Sequence, residues 1–99
     1  MNNGQTAQLS FDDGYPDGFW SWLPQNNKVY REFERRALQM ARTSRKRYSA
    51  RTIVELMRWD SDISDSEMTF KINDHYTPGM ARLFMAKHGA QYPKFFELR

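Results

Sequence analysis

Between residues 28 and 43 the apolar side chains are Val29, Tyr30, Phe33, Ala37, Met40 and Ala41, with Leu38 at the margin. They recur with the period of an α-helix that buries one stripe and exposes the rest. A helix of this kind needs a second apolar surface to cover its stripe, so the chain is expected to fold as packed helices. Asn26 or Asn27 supplies the cap. The opposite side carries Arg31, Arg35, Arg42 and Lys46 around Gln39, close to one face over about 22 Å if the helix runs on. Glu32 and Arg36 form an i,i+4 pair in the favourable order.

Two further helices follow from their start signals. Ser49 reads as an N-cap for a helix over residues 50–60, buried through Ile53, Val54, Leu56 and Met57 and outward through Arg51, Glu55 and Arg58. Trp59, at its end, reads as a core or edge anchor. Thr77 and Pro78 announce a third helix whose body is 79–88, with Met80, Ala81, Phe84 and Met85 inward, Arg82 and Lys87 outward, and Gly89 just past its end. Between them, Met68 to Ile72 alternates weakly and predicts a short strand, for which the closing Phe95-Phe96-Glu97-Leu98-Arg99 is the partner. The fold class expected is mainly α: a three-helix domain with a small two-stranded β element, compatible with a helix-turn-helix or winged-helix-like arrangement. The two shorter helices lie too far apart for the tight turn of a simple helix-turn-helix.

Residues 1–18 are polar and rich in turn formers and read as a tail; residues 19–99 read as one domain. Phe19, Trp20, Trp22 and Leu23 are too apolar for a free tail. They are expected to pin this segment to the core as a short helix ended before Pro24. With 39% hydrophobic residues in 99, the chain has enough apolar surface to fold without staples. It has no cysteine, which excludes a disulfide framework and thiolate metal sites. The polar start lacks a secretory pattern and no apolar run is long enough for a bilayer, so a cytoplasmic location without a membrane partner is expected.

The net charge of +3 is unevenly distributed: residues 28–60 hold ten basic and four acidic side chains, a local +6. Arginine outnumbers lysine in this block, which suits recognition of phosphates and carboxylates by forked hydrogen bonds.

The run Arg47-Tyr48-Ser49, then Arg58-Trp59-Asp60, Phe70-Lys71-Ile72-Asn73, Ala81-Arg82-Leu83-Phe84-Met85 and the ending Phe95-Phe96-Glu97-Leu98-Arg99 resembles small uncharacterised proteins encoded in bacterial and phage genomes. The likeness spans roughly residues 20–99, outside the Asn- and Gln-rich start. It implies a bacterial or phage setting and a single domain, and brings no activity, cofactor or residue role with it.

Catalytic chemistry finds little to work with. Asp60, Asp62, Asp65 and Glu67 resemble a calcium loop, but with Asp60 first the sixth position is Asp65 instead of glycine and the twelfth is Lys71 instead of glutamate. His75 follows Asp74 directly, and sequence neighbours do not face each other as a base and its orienting group must. His88, in a last helical turn, is favoured there by exposed carbonyls without any functional role. The expectation is therefore no enzyme, no catalytic residue, no metal and no cofactor. What remains is binding through an arginine-rich helical surface composed of Arg31, Arg35, Arg42, Arg45, Lys46, Arg47, Arg51, Arg58 and Arg82. The partner expected is nucleic acid; the alternative is an acidic protein on the same surface, with Trp20 and Trp22 as interface anchors if exposed.

Overall fold

A computed structural model describes residues 14–43, 47–63 and 73–96, the last three of the middle segment by backbone only. Four helices follow one another: α1 (Phe19–Gln25), α2 (Asn27–Thr43), α3 (Ala50–Ile63) and α4 (Thr77–His88), the last preceded by a 3-10 turn (Asp74–Tyr76).

Asn26 joins α1 to α2. Its backbone carbonyl accepts from the amides of Val29 and Tyr30, opening α2, while its side-chain amide donates to the Trp22 carbonyl at 2.9 Å, closing α1. Helix α1 starts from Gly18 in the left-handed conformation (φ 79°) and runs through Pro24 to Gln25 instead of ending before the proline. Proline removes the amide that would bond the carbonyl four residues back, here that of Trp20.

Ser49 caps α3 as expected, its hydroxyl oxygen accepting from the Thr52 amide at 3.3 Å. Helix α3 continues past Asp60 to Ile63, so Trp59 sits within it and not at its end. Thr77 is the first residue of α4, not its cap, and its side chain is buried.

Helices α2 and α3 pack together, α3 packs on α4, and α1 packs on α2. The core is assembled from Phe19 of α1; Val29, Tyr30, Phe33 and Ala37 of α2; Ile53, Val54 and Met57 of α3; and Met80, Ala81 and Phe84 of α4, closed by Phe95 and Phe96. The stripe read from α2 is thus the one it buries. On α3, Ile53, Val54 and Met57 are fully buried, but Leu56 is 38% exposed and Trp59 63% exposed. Trp59 is therefore not a core anchor.

The expected two-stranded element is not found: no strand occurs among the described residues. Met68 to Ile72 lies outside the described residues, as does 97–99. The described part of the second candidate, Phe95 and Phe96, is a bend that follows a turn closed by the Phe95 amide on the Tyr92 carbonyl at 3.2 Å. Both rings turn inward, Phe96 stacking on Phe33 at 5.6 Å and meeting Phe84 edge-on at 5.2 Å. Two adjacent side chains buried together contradict the alternate facing of a strand. The Phe95 carbonyl instead accepts from the Tyr48 amide at 3.2 Å, holding the segment against the entrance to α3. A winged helix accordingly has no described wing, and the described residues form an all-helical packing plugged by aromatic rings.

The C-terminal end of α4 is locked to α2 by charge. Glu34 accepts from His88 Nε2 at 2.7 Å and pairs with Lys87 at 3.0 Å. Burial alone would push the Glu34 carboxyl up, but the hydrogen bonds and charges of His88 and Lys87 together hold it below the ordinary carboxylate value. Tyr30 lies beside it, its ionisation pushed up by burial first and by the Glu34 charge second. A carboxyl whose pKa is lower in the folded state stabilises the fold above its unfolded pKa, and that contribution disappears as pH falls through the folded value. Thermal melts on acidification below the usual glutamate range should therefore show a declining melting temperature. Glu34→Gln should lower the neutral-pH value and make the acid-side slope shallower; an unchanged slope would remove Glu34 from the account.

Candidate interaction face

Successive residues of an α-helix are turned by about 100°, so on α2 Lys28, Arg31, Arg35 and Arg42 project within one narrow sector. It lies opposite Val29, Phe33, Ala37 and Met40. All four cations are exposed and form a ridge about 21 Å long. Arg35 is held by Glu32, its Nη2 donating at 2.6 Å, whereas Lys28, Arg31 and Arg42 have no ion-pair partner among the described residues. The Arg35 hydrogen bond is the main reason the Glu32 carboxyl stays below its ordinary value.

From the ridge the surface passes to α3 through a relay of ion pairs. Glu32 also accepts from Arg36 Nε at 2.6 Å, and Arg36 Nη1 reaches Asp60 of α3 at 2.7 Å. Moving outward from the α2–α3 seam, α2 presents Arg36, then Glu32, then the cationic ridge. Outward on α3 come Asp60, then Leu56, then Trp59. Because Arg36–Asp60 spans the rim of the seam, the ridge and the Leu56–Trp59 strip lie on the same side of the molecule.

That strip has a regular spacing. Thr52, Leu56 and Trp59 are at i, i+4 and i+7, and the next position in that register is 63, the last residue of α3. Beside it is an open hollow of about 460 Å³ lined by Ser49, Arg51, Thr52, Glu55, Leu56 and Trp59. Helix α3 therefore fills the core with Ile53, Val54 and Met57 and leaves Leu56 and Trp59 turned to solvent.

The predicted site residues are thus divided. Arg31, Arg35 and Arg42 share the ridge, and Arg51 lies at the far edge of the α3 strip. Arg58 points elsewhere, held between Glu55 at 2.6 Å and Asp74 at 2.8 Å. Arg82 lies against Gly14, where a Cβ would overlap its guanidinium. Arg47 is exposed just before α3, and Arg45 and Lys46 lie outside the described residues. Of the N-terminal tryptophans, Trp22 is half-buried and stacks on Tyr76 at 4.6 Å, while Trp20 stays 46% exposed against Tyr15 at 4.7 Å.

Sequence reading missed Lys28, whose spacing to Arg31, Arg35 and Arg42 was already available. It also missed the outward role of Leu56 and Trp59. The signal was there too, in Leu56 and Trp59 one helical turn apart beside the inner stripe.

Among the described residues no group of three or more His, Asp or Glu side chains is arranged to hold a metal ion, and no helix is long and apolar enough to cross a membrane. Compared with protein-family models, curated proteins and solved structures, the chain matches none.

Proposed function

We propose that this chain is a non-catalytic binding module that takes an acidic protein partner on the face shared by α2 and α3. The observation that carries this reading is the exposure of Trp59 and Leu56 beside Lys28, Arg31 and Arg42, which have no ion-pair partner among the described residues. Tryptophan and arginine are the residues that most often carry binding energy at protein interfaces, and a cationic flank steers an acidic partner towards them. A bacterial or phage setting, implied by the sequence resemblance, belongs to the same proposal.

Nucleic acid is the second reading, favoured by the alignment of four cations along α2, which a phosphate backbone can follow. The first reading fits better because the face also presents Leu56, and because carboxylates already hold Arg35, Arg36 and Arg58.

The test compares both ligands in one buffer series. The purified chain is used to select from a displayed library of random peptides, and is titrated with labelled duplex and single-stranded DNA. Enrichment of acidic peptides with large apolar residues, abolished by Leu56→Glu and weakened at least tenfold by Arg31→Glu with Arg42→Glu, is the expected result. Micromolar DNA binding that falls steeply with salt, is lost in the double arginine variant and is indifferent to Leu56→Glu would replace it with the nucleic-acid reading.

A further inference from the structure

We infer that the occupant of this face is an amphipathic α-helix of the partner, lying along α3 with its apolar stripe on Leu56 and Trp59 and an acidic flank on the α2 ridge. This rests on the protein-binding reading above and specifies its ligand.

Three observations lead to a helix. Leu56 and Trp59, the exposed large apolar residues of α3 among those described, stand at i and i+3, one helical turn apart, the spacing of contact positions when one helix packs along another. They are not scattered singly, as ordinary surface hydrophobics are. The hollow beside Trp59 opens along α3 from Ser49 to Trp59, about 15 Å or roughly three helical turns.

The charge of that helix follows from the two edges of the strip. On the α2 side, Asp60 is neutralised by Arg36 at 2.7 Å, and beyond it stand Arg31 and Arg42, without ion-pair partners among the described residues. An acidic flank there gains pairs without displacing existing ones. On the other edge, Glu55 is already bound by Arg58 at 2.6 Å, so that side calls for a neutral flank, with Arg51 lining the hollow as a further cation.

A second copy of this chain meets like charges when the two are paired antiparallel. An antiparallel two-fold pairing of α3 strips brings one cationic α2 ridge over the other.

The experiment uses three synthetic peptides of identical composition: leucines at heptad spacing with glutamates along one flank, the same residues scrambled, and the same residues in strict alternation. Binding to the full chain is followed by calorimetry, by helical circular dichroism, and by the indole N–H signal of Trp59, assigned with Trp59→Phe. The heptad peptide should bind at least tenfold more tightly than either control, gain helicity, and shift the Trp59 signal. Trp59→Ala and Leu56→Ala should each weaken it tenfold or more with unchanged melting curves, as should Arg31→Glu with Arg42→Glu. Equal binding of the scrambled peptide, still dependent on the arginines, would overturn the helical occupant while leaving the protein-binding reading in place. Binding of none of the peptides, with a single-stranded oligonucleotide shifting Trp59 instead, would overturn both. Concentration-dependent dimerisation of the chain alone, abolished by Trp59→Ala, would assign the strip to a second copy.

Discussion

Phe84→Ala is expected to destabilise the fold by about 3–5 kcal/mol, the usual range for deleting a buried phenylalanine. Phe84 is fully buried and its ring joins α4 to the closing segment: Phe96 lies 5.2 Å away and Phe95 at 5.8 Å, with His88 of the same helix at 4.7 Å. The cavity cannot refill cheaply, because Phe96 is already stacked on Phe33 and the Phe95 backbone is tied to Tyr48. Since a small domain has a net stability of only about 5–15 kcal/mol, the variant should be close to unfolded at 37 °C. Denaturant titration is the measurement: the midpoint should drop sharply with little change in slope. Phe84→Leu, which keeps most of the volume, should lose much less. A loss of under about 1 kcal/mol for Phe84→Ala, against the usual cost of such cavities, would mean that the aromatic plug does not hold α4 in place.

The plug also shows where sequence reading succeeded and where it stopped. Helix α2 was legible because one strong stripe repeats over 17 residues and an asparagine precedes it. Capping serine fixed the start of α3, and Thr77 with Pro78 fixed that of α4 to within a residue. Phe95 and Phe96 were misread because two adjacent aromatics have no period, and β-propensity mainly measures how a side chain fits a half-buried surface. Here the half-buried surface was a gap among helices, which no local pattern announces.

On the candidate face, spacing alone put Arg31, Arg35 and Arg42 together, but it could not show which arginines were already engaged. Arg58 finds Asp74 sixteen positions away, and Arg82 lies against Gly14. Pairings between distant segments depend on tertiary packing. Leu56 and Trp59 illustrate the opposite limit. Their stripe was visible, but a helix with apolar residues around most of its girth reads as buried, and only the packing of α2 and α4 leaves that side open.

Gly79→Ala is expected to lower stability by about 1–2 kcal/mol net, although alanine is favoured over glycine inside a helix by about 1 kcal/mol. The sign is decided by Phe19. A Cβ at Gly79 would overlap Cδ1 and Cε1 of that ring, closer than non-bonded atoms approach. Phe19 cannot yield, since it is fully buried between Tyr15 at 5.4 Å, Trp20 at 5.1 Å and Trp22 at 5.8 Å. Relief would require α1 to lift from α4, carrying the Trp22–Tyr76 stack with it. The substitution should accordingly lower the melting temperature and change tryptophan fluorescence, whereas Ala81→Gly on the same helix should leave the fluorescence nearly unchanged. Phe19→Leu supplies the room that Gly79→Ala lacks, so the double variant should be less destabilised than the two single losses added together, a coupling expected only of residues in contact. If Gly79→Ala instead raised stability by the full helical preference, α1 would have to sit away from α4, and the aromatic cluster at 19–22 would be an exposed surface in search of a partner rather than a lid on the core.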